Sequence, residues 1–175
     1  DMTPQQTPST WAELLDERWK GRLALKDAQT SGSEYAQYYF LREKYGRSFW
    51  ERMASQKPMM YKSGDEMLQA VISGDATIAG GVLGYKVRKY AVDDGPVAAI
   101  WPEDGVPVCL GPVAILRAAP HPNAAKLFEE FMLSETGQTR LSEMLQAYSP
   151  RTDIPPPEGA RPLSELKLLK PVTGW

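Results

Sequence analysis

The stretch from Pro112 to Gln138 constrains the fold more than any other part of this chain. It opens with an apolar run, Val113-Ala114-Ile115-Leu116, which reads as a buried strand. A turn follows at Ala119-Pro120-His121-Pro122-Asn123. Prolines so close together cannot both sit inside a helix, but Pro122 suits the first turn of one. Apolar residues then recur at Ala124, Leu127, Phe128, Phe131 and Met132, the spacing of one buried helical face. Ser134 caps a second helix, with Glu135 in its first turn and Gly137-Gln138 just beyond. The order is strand, proline turn, amphipathic helix, capped helix.

The residues before this stretch repeat a related grammar. Thr10 can cap a short helix through Trp11, Leu14 and Leu15, with Glu13 as its capping-box partner. Arg22–Lys26 reads as a first strand, Leu23 and Leu25 pointing to one face. The polar turn 27–33 feeds a helix from Glu34 to about Lys44, which Gly46 ends, and a second helix runs from Phe49 to Ser55. Met59–Tyr61 is a second strand. Ser63 caps a helix with the face Met67, Leu68, Val71 and Ile72, closed by Gly74. Ala76–Ala79 is a third strand, Gly80-Gly81 a turn, Val82–Tyr90 a helix, and Val97–Ile100 a fourth strand. A small helix over Leu163–Leu169 ends a proline-rich tail. Strands alternating with helices in this way predict an α/β fold with a mostly parallel sheet flanked by helices.

Composition narrows the function. With Lys and Arg dispersed and a net charge of −2, the chain lacks the basic face that nucleic acid selects. No apolar run approaches the ~20 residues of a membrane span, and the polar start Asp1-Met2-Thr3-Pro4 has no signal-peptide character and resembles a cut end. Cys109, the single cysteine, lies in the apolar Val106–Leu110 run and is expected to be a buried structural thiol. One cysteine suits cytoplasm and periplasm alike.

The run Ala119-Pro120-His121-Pro122-Asn123-Ala124-Ala125-Lys126-Leu127-Phe128, followed by Phe131-Met132-Leu133-Ser134-Glu135 and Gly137-Gln138, closely resembles bacterial extracellular solute-binding proteins. These are the periplasmic receptors of ABC importers, in the branch that includes ferric-iron and polyamine binders. Trp101-Pro102-Glu103-Asp104-Gly105 resembles that family's crossover between lobes, and Tyr148-Ser149-Pro150-Arg151 its closing motif. The stretch Trp11-Ala12-Glu13-Leu14-Leu15-Asp16, then Trp19-Lys20-Gly21-Arg22, resembles its lead into the second lobe. The resemblance runs from about Trp11 to Leu169. It implies one lobe of a type 2 periplasmic-binding fold over residues 8–103, a hinge and a segment returning to the first lobe over 104–148, and a tail over 149–175.

Family members begin with most of a first lobe, of which this sequence has no counterpart, so the chain is expected to be a fragment. The strand at 113–116 and the helix after it would normally pack on that lobe. Burying each Leu- or Phe-sized side chain is worth about 1.5–3 kcal/mol, so either a homodimer or repacking on the second lobe is expected to cover them.

In open α/β sheets ligands bind beyond the carboxyl ends of the strands, and three turns qualify. Thr30-Ser31-Gly32-Ser33 offers hydroxyls and N–H groups at a helix start, suited to phosphate or carboxylate, or else an ordinary cap. The resemblance independently implies that this turn faces the cleft. Ser63, beside Lys62, is a cap or a ligand contact. Gly80-Gly81 permits close backbone approach, with Tyr85 as a wall of the pocket. In iron-binding relatives two adjacent tyrosines of this region hold the metal; here Tyr85 and Tyr90 are five apart, which disfavours that site. Gly80-Gly81-Val82-Leu83-Gly84 does not have the dinucleotide-loop spacing. Pro102, Glu103, Asp104 and Gly105 would form the hinge, with Glu103 and Asp104 either solvated or accepting from an amine. Among the clustered aromatics of 35–50, Tyr35 is placed to reach the cleft and the rest to pack.

Cys109 and His121 make neither a nucleophile with its base nor a metal ligand set, so no catalytic residue, metal or cofactor is expected. The resemblance implies a periplasmic substrate-binding component that captures a small molecule or ion and delivers it to an ABC permease in the inner membrane. The alternative is an effector-sensing domain of a transcriptional regulator with the same fold. Ferric ion, polyamine, phosphorylated compound and organic anion all stay open as solutes.

Overall fold

Strand β1, Leu23–Lys26, is central to the larger sheet because it is covered on both faces. This computed structural model describes residues 2, 3, 6–91 and 95–169. Leu23 and Leu25 point into a core with Trp11, Leu14, Trp19, Leu41, Phe49 and Met53. Ala24, fully buried, points the other way, onto Met67, Ala70 and Ala76. The alternation of a strand thus places bulky residues on one side and a small one on the other. Parallel neighbours flank it, β2 (Met59–Tyr61) and β3 (Ile78–Ala79), in the order β2-β1-β3.

Helices α1 (Gly32–Tyr45) and α2 (Arg47–Ser55) supply the bulky layer. Gly46, at φ 77°, separates them, a backbone conformation that costs glycine little. Helix α3 (Gly64–Ser73) supplies the opposite layer, and α4 (Gly84–Ala91) packs beside it. Ser63 Oγ caps α3 by accepting from the Glu66 N–H at 3.2 Å. Before β1 the chain forms a 3-10 turn at Ala12–Leu15. Its capping box is spread over two residues: Glu13 N–H donates to Thr10 Oγ1 while the Glu13 carboxylate accepts from the Ser9 N–H.

The described residues divide into two units, the first ending at Cys109 and resuming at Leu163, the second spanning Leu110–Pro162. In the first, β4 (Val106–Pro107) pairs in parallel with β5 (Leu168–Leu169). The helix expected over Leu163–Leu169 is therefore a 3-10 turn at Leu163–Glu165 followed by a strand, because Val106 N–H bonds to the Lys167 carbonyl. No strand forms at Val97–Ile100; residues 98–100 are exposed and no neighbouring strand pairs with them. Cys109 is exposed rather than buried, since β4 ends at Pro107 and the chain runs outward from there.

In the second unit, helices α5 (Pro122–Leu133) and α6 (Glu135–Leu145) form a hairpin. Ser134 caps α6, accepting from the Gly137 N–H at 3.1 Å. A Cβ on Gly137 would strike the Phe131 carbonyl, so the tight turn requires glycine. Buried Gln138 bonds to the Met132 carbonyl and accepts from Ser149, while Arg151 reaches the Leu133 carbonyl and grips Asp153 with two hydrogen bonds. Residues 113–116 are not a buried strand. Val113 is 40% and Leu116 77% exposed, because a strand needs a neighbour and this unit has none among its described residues. The apolar face of α5 is bare as well: Leu127, Phe128 and Phe131 are 69%, 57% and 48% exposed.

Candidate functional site

Because β1, β2 and β3 are parallel, their carboxyl ends lie toward one edge of the sheet, Tyr61 opposite Lys26 and Ala79 opposite Ala24. The three turns singled out in the sequence all leave from that edge. Beside it a cavity of about 220 Å³ opens between the sheet and helices α1 and α2. Its walls are largely apolar, from Leu25, Met53, Pro58, Met60 and the rings of Tyr38 and Trp50. Lys26, Asp27, Glu34 and Gln37 add the polar groups, and Gly80 completes the wall.

The hydroxyls of the first turn are engaged within the chain. Thr30 Oγ1 donates to the Asp27 carbonyl at 2.7 Å. Ser31 and Ser33 hydroxyls lie 2.9 Å apart, and Ser33 Oγ donates to Glu34 Oε2 at 2.7 Å. Ser31 sits at the cap position of α1 without a side-chain cap bond, and Gly32 is exposed with open space around it. Lys26 Nζ meets Glu34 Oε2 at 3.1 Å, both side chains nearly buried, at 13% and 11% exposed. Burial works most strongly on the Glu34 carboxyl and would raise its pKa. The hydrogen bonds from Ser31, Ser33 and Lys26 together outweigh it and hold the pKa below the ordinary value. The helix start expected to attract an anion thus already holds one of its own.

Ser63 is used in capping. Gly80 donates its N–H to the Ala24 carbonyl at 2.9 Å. Gly81, at φ 88°, leaves no room for a Cβ against the Gln37 carboxamide. Tyr85 is half-buried in the first turn of α4, next to the Lys86–Asp65 ion pair that ties α4 to α3. That bond holds the Asp65 carboxyl below its ordinary range and raises the Lys86 ammonium. Of the residues expected to bind, Gly80 lines the cavity, and Thr30, Ser31, Gly32, Ser33, Ser63, Gly81 and Tyr85 do not. Tyr35, 51% exposed, does not line it.

Asp104 is not a solvated turn residue: its carboxylate accepts from the Trp11 N–H at 3.1 Å. Glu103 is exposed and its N–H donates to the Ser9 carbonyl, Gly105 N–H reaches the Pro102 carbonyl, and the Gly105 carbonyl accepts from the Trp11 indole. The residues missed in the sequence are Lys26, Glu34, Gln37, Tyr38 and Trp50. One signal for them was present, since Ser31 and Glu34 have capping-box spacing and Gln37 follows one turn later on the same helical face.

A family model of bacterial extracellular solute-binding proteins matches residues 2–172. The chain belongs to the bacterial extracellular solute-binding protein family. The chain is 32% identical over 139 residues to an uncharacterized protein of Haemophilus influenzae, covering 77% of this chain and 40% of that relative. Less than half the length of that curated relative is therefore represented. Among solved structures it is similar to iron-bound HitA from Pseudomonas aeruginosa, with TM-score 0.76, 22% identity, and coverage of 97% of this chain and 57% of that one. It is also similar to the substrate-binding protein of an ABC transporter from Agrobacterium tumefaciens, with TM-score 0.67, 20% identity, and coverage of 87% and 48%. A third similar structure is described as a two-component system protein that mediates signal transduction, with TM-score 0.80, 20% identity, and coverage of 94% and 56%. These likenesses show the fold, an α/β lobe of the periplasmic-binding type. In this family member the motifs Gly137-Gln138 and Tyr148-Ser149-Pro150-Arg151 hold the α5–α6 hairpin together.

Proposed function

We propose that this chain is the second lobe and return segment of a substrate-binding component of an ABC importer. It would capture a small molecule or ion in the periplasm and deliver it to a permease in the inner membrane. The observation that carries this reading is the convergence of three turns and a cavity at the carboxyl edge of one parallel sheet, within a family match that spans nearly the whole chain. In this reading Thr30, Ser31, Gly32 and Ser33, with Ser63, Gly80, Gly81 and Tyr85, border the cleft. Pro102–Gly105 is its hinge, and a first lobe outside this chain closes the cleft and covers α5. No residue is assigned a catalytic role.

Native mass spectrometry of the protein after periplasmic expression identifies the retained solute. Loss of uptake of that solute in cells lacking the gene then supports delivery to a permease. Ser31→Ala combined with Gly32→Pro is expected to weaken binding about tenfold, because it removes a hydroxyl and an N–H from the start of α1. Ser31 is extended and Gly32 has free space, so the fold accepts both changes. Unchanged calorimetric affinity would place the solute elsewhere.

The second reading is an effector-sensing domain of a regulator, favoured by the similarity to a two-component signalling protein. Unimpaired uptake together with a lost transcriptional response to the same solute would establish it instead.

A further inference from the structure

The cavity between the sheet and α1–α2 is lined wholly from the first unit, so this chain supplies all of it. Resting on the solute-binding reading, we propose that it receives a small neutral molecule with an apolar body and a carbonyl oxygen, which accepts a hydrogen bond from the Trp50 indole N–H.

An unmet donor is the first observation. Trp50 lines the cavity, and its Nε1 is buried with no hydrogen-bond partner among the described residues. Trp19 and Gln56 also hold buried atoms in that state, but neither residue lines the cavity. The Trp50 ring is packed against Tyr38 and Phe49, with centroids 5.1 Å and 5.3 Å away, so packing sets the direction of its N–H. A buried donor left unpaired is costly, and an acceptor carried in by a ligand removes that cost.

Charge selects the acceptor. An ammonium only donates and cannot answer an N–H. The charged groups facing the cavity are Lys26, Glu34 and Asp27. Lys26 and Glu34 neutralise each other at 3.1 Å. Asp27 accepts from the Gln29 N–H at 2.8 Å and forms no ion pair among the described residues. What remains is one negative charge, which repels a carboxylate or a phosphate. A neutral oxygen avoids that repulsion, and a carbonyl, unlike a hydroxyl, brings no further donor that apolar walls would leave unpaired. Size and lining select the body. A cavity of about 150 Å³ accepts benzene, so one of about 220 Å³, walled by Leu25, Met53, Pro58 and Met60, suits a phenyl ring with a short side chain.

Titration of the isotope-labelled 175-residue chain with acetophenone, ethylbenzene, phenylacetate and benzylamine, followed by NMR, tests this, since the probes share a ring and differ in head. Acetophenone is expected to bind about tenfold more tightly than ethylbenzene, which lacks an acceptor, and more tightly than the anion or the amine. Among the indole signals of the five tryptophans, that of Trp50, identified by its loss in Trp50→Phe, should move downfield with acetophenone. Trp50→Phe keeps an aromatic ring and removes the N–H, so it should lower acetophenone affinity about tenfold, to that of ethylbenzene. Equal affinity for acetophenone and ethylbenzene in the native chain would overturn the proposal, whether or not Trp50→Phe folds by circular dichroism. An unmoved Trp50 signal, an unchanged affinity in folded Trp50→Phe, or tighter binding of phenylacetate or benzylamine would overturn it as well, leaving the solute-binding reading intact. Binding of none of the probes would also overturn it, and a solute retained in native mass spectrometry would then still uphold the broader reading.

Discussion

Glu34 concentrates most of the local electrostatics at the sheet edge. Its carboxylate accepts from Lys26 and Ser33 while nearly buried. A carboxyl whose folded pKa is depressed adds stability above its ordinary value of 4.5 and loses that contribution as pH falls through the folded value. Melting temperature should therefore drop more steeply between about pH 5 and about pH 3 in the native chain than in Glu34→Gln. Parallel curves would show that the pair contributes nothing. Ser31 and Glu34 have capping-box spacing, yet the Glu34 carboxylate pairs with Lys26 instead. Nothing local to the sequence brings Lys26 alongside, because only the closed β1–α1 turn does so.

Helices were the most legible elements, because caps and apolar periodicity are written within a few residues. Ser63, Ser134, Gly46 and Gly74 mark the ends they were expected to mark. Ser134→Ala should cost about 1 kcal/mol in α6, read as faster amide exchange at Gly137 with the first unit unchanged. Equal exchange would mean that Gln138 and Arg151 hold the hairpin without the cap. Strands were less legible, since a strand exists only through its neighbour. Val113–Leu116 and Val97–Ile100 have apolar composition and no partner, and neither pairs. Conversely, β4 and β5 are two residues each, too short for periodicity to reveal.

Taken together, the two units differ in how fully they bury their apolar residues. The first has a closed core on both sides of its sheet, whereas α5 in the second exposes a row of large apolar side chains. Faces of this kind associate in water. The isolated chain is expected to dimerise through α5, and Phe128→Ser with Phe131→Ser should give a monomer by light scattering; a wild-type monomer would refute it. The motifs that carried the family resemblance at 119–151 proved legible as a hairpin and its clasp, whereas the bare face of α5 was not, because burial depends on neighbours that local pattern does not record. The pairing of β4 with β5 also has a bearing on biosynthesis. Val106 and Leu168 are 62 residues apart, with the entire second unit between them. At about 5–20 residues per second, a ribosome needs roughly 3–12 s to deliver the second strand after the first. The amino-terminal unit thus waits for the other to be synthesised before its last backbone ladder can close.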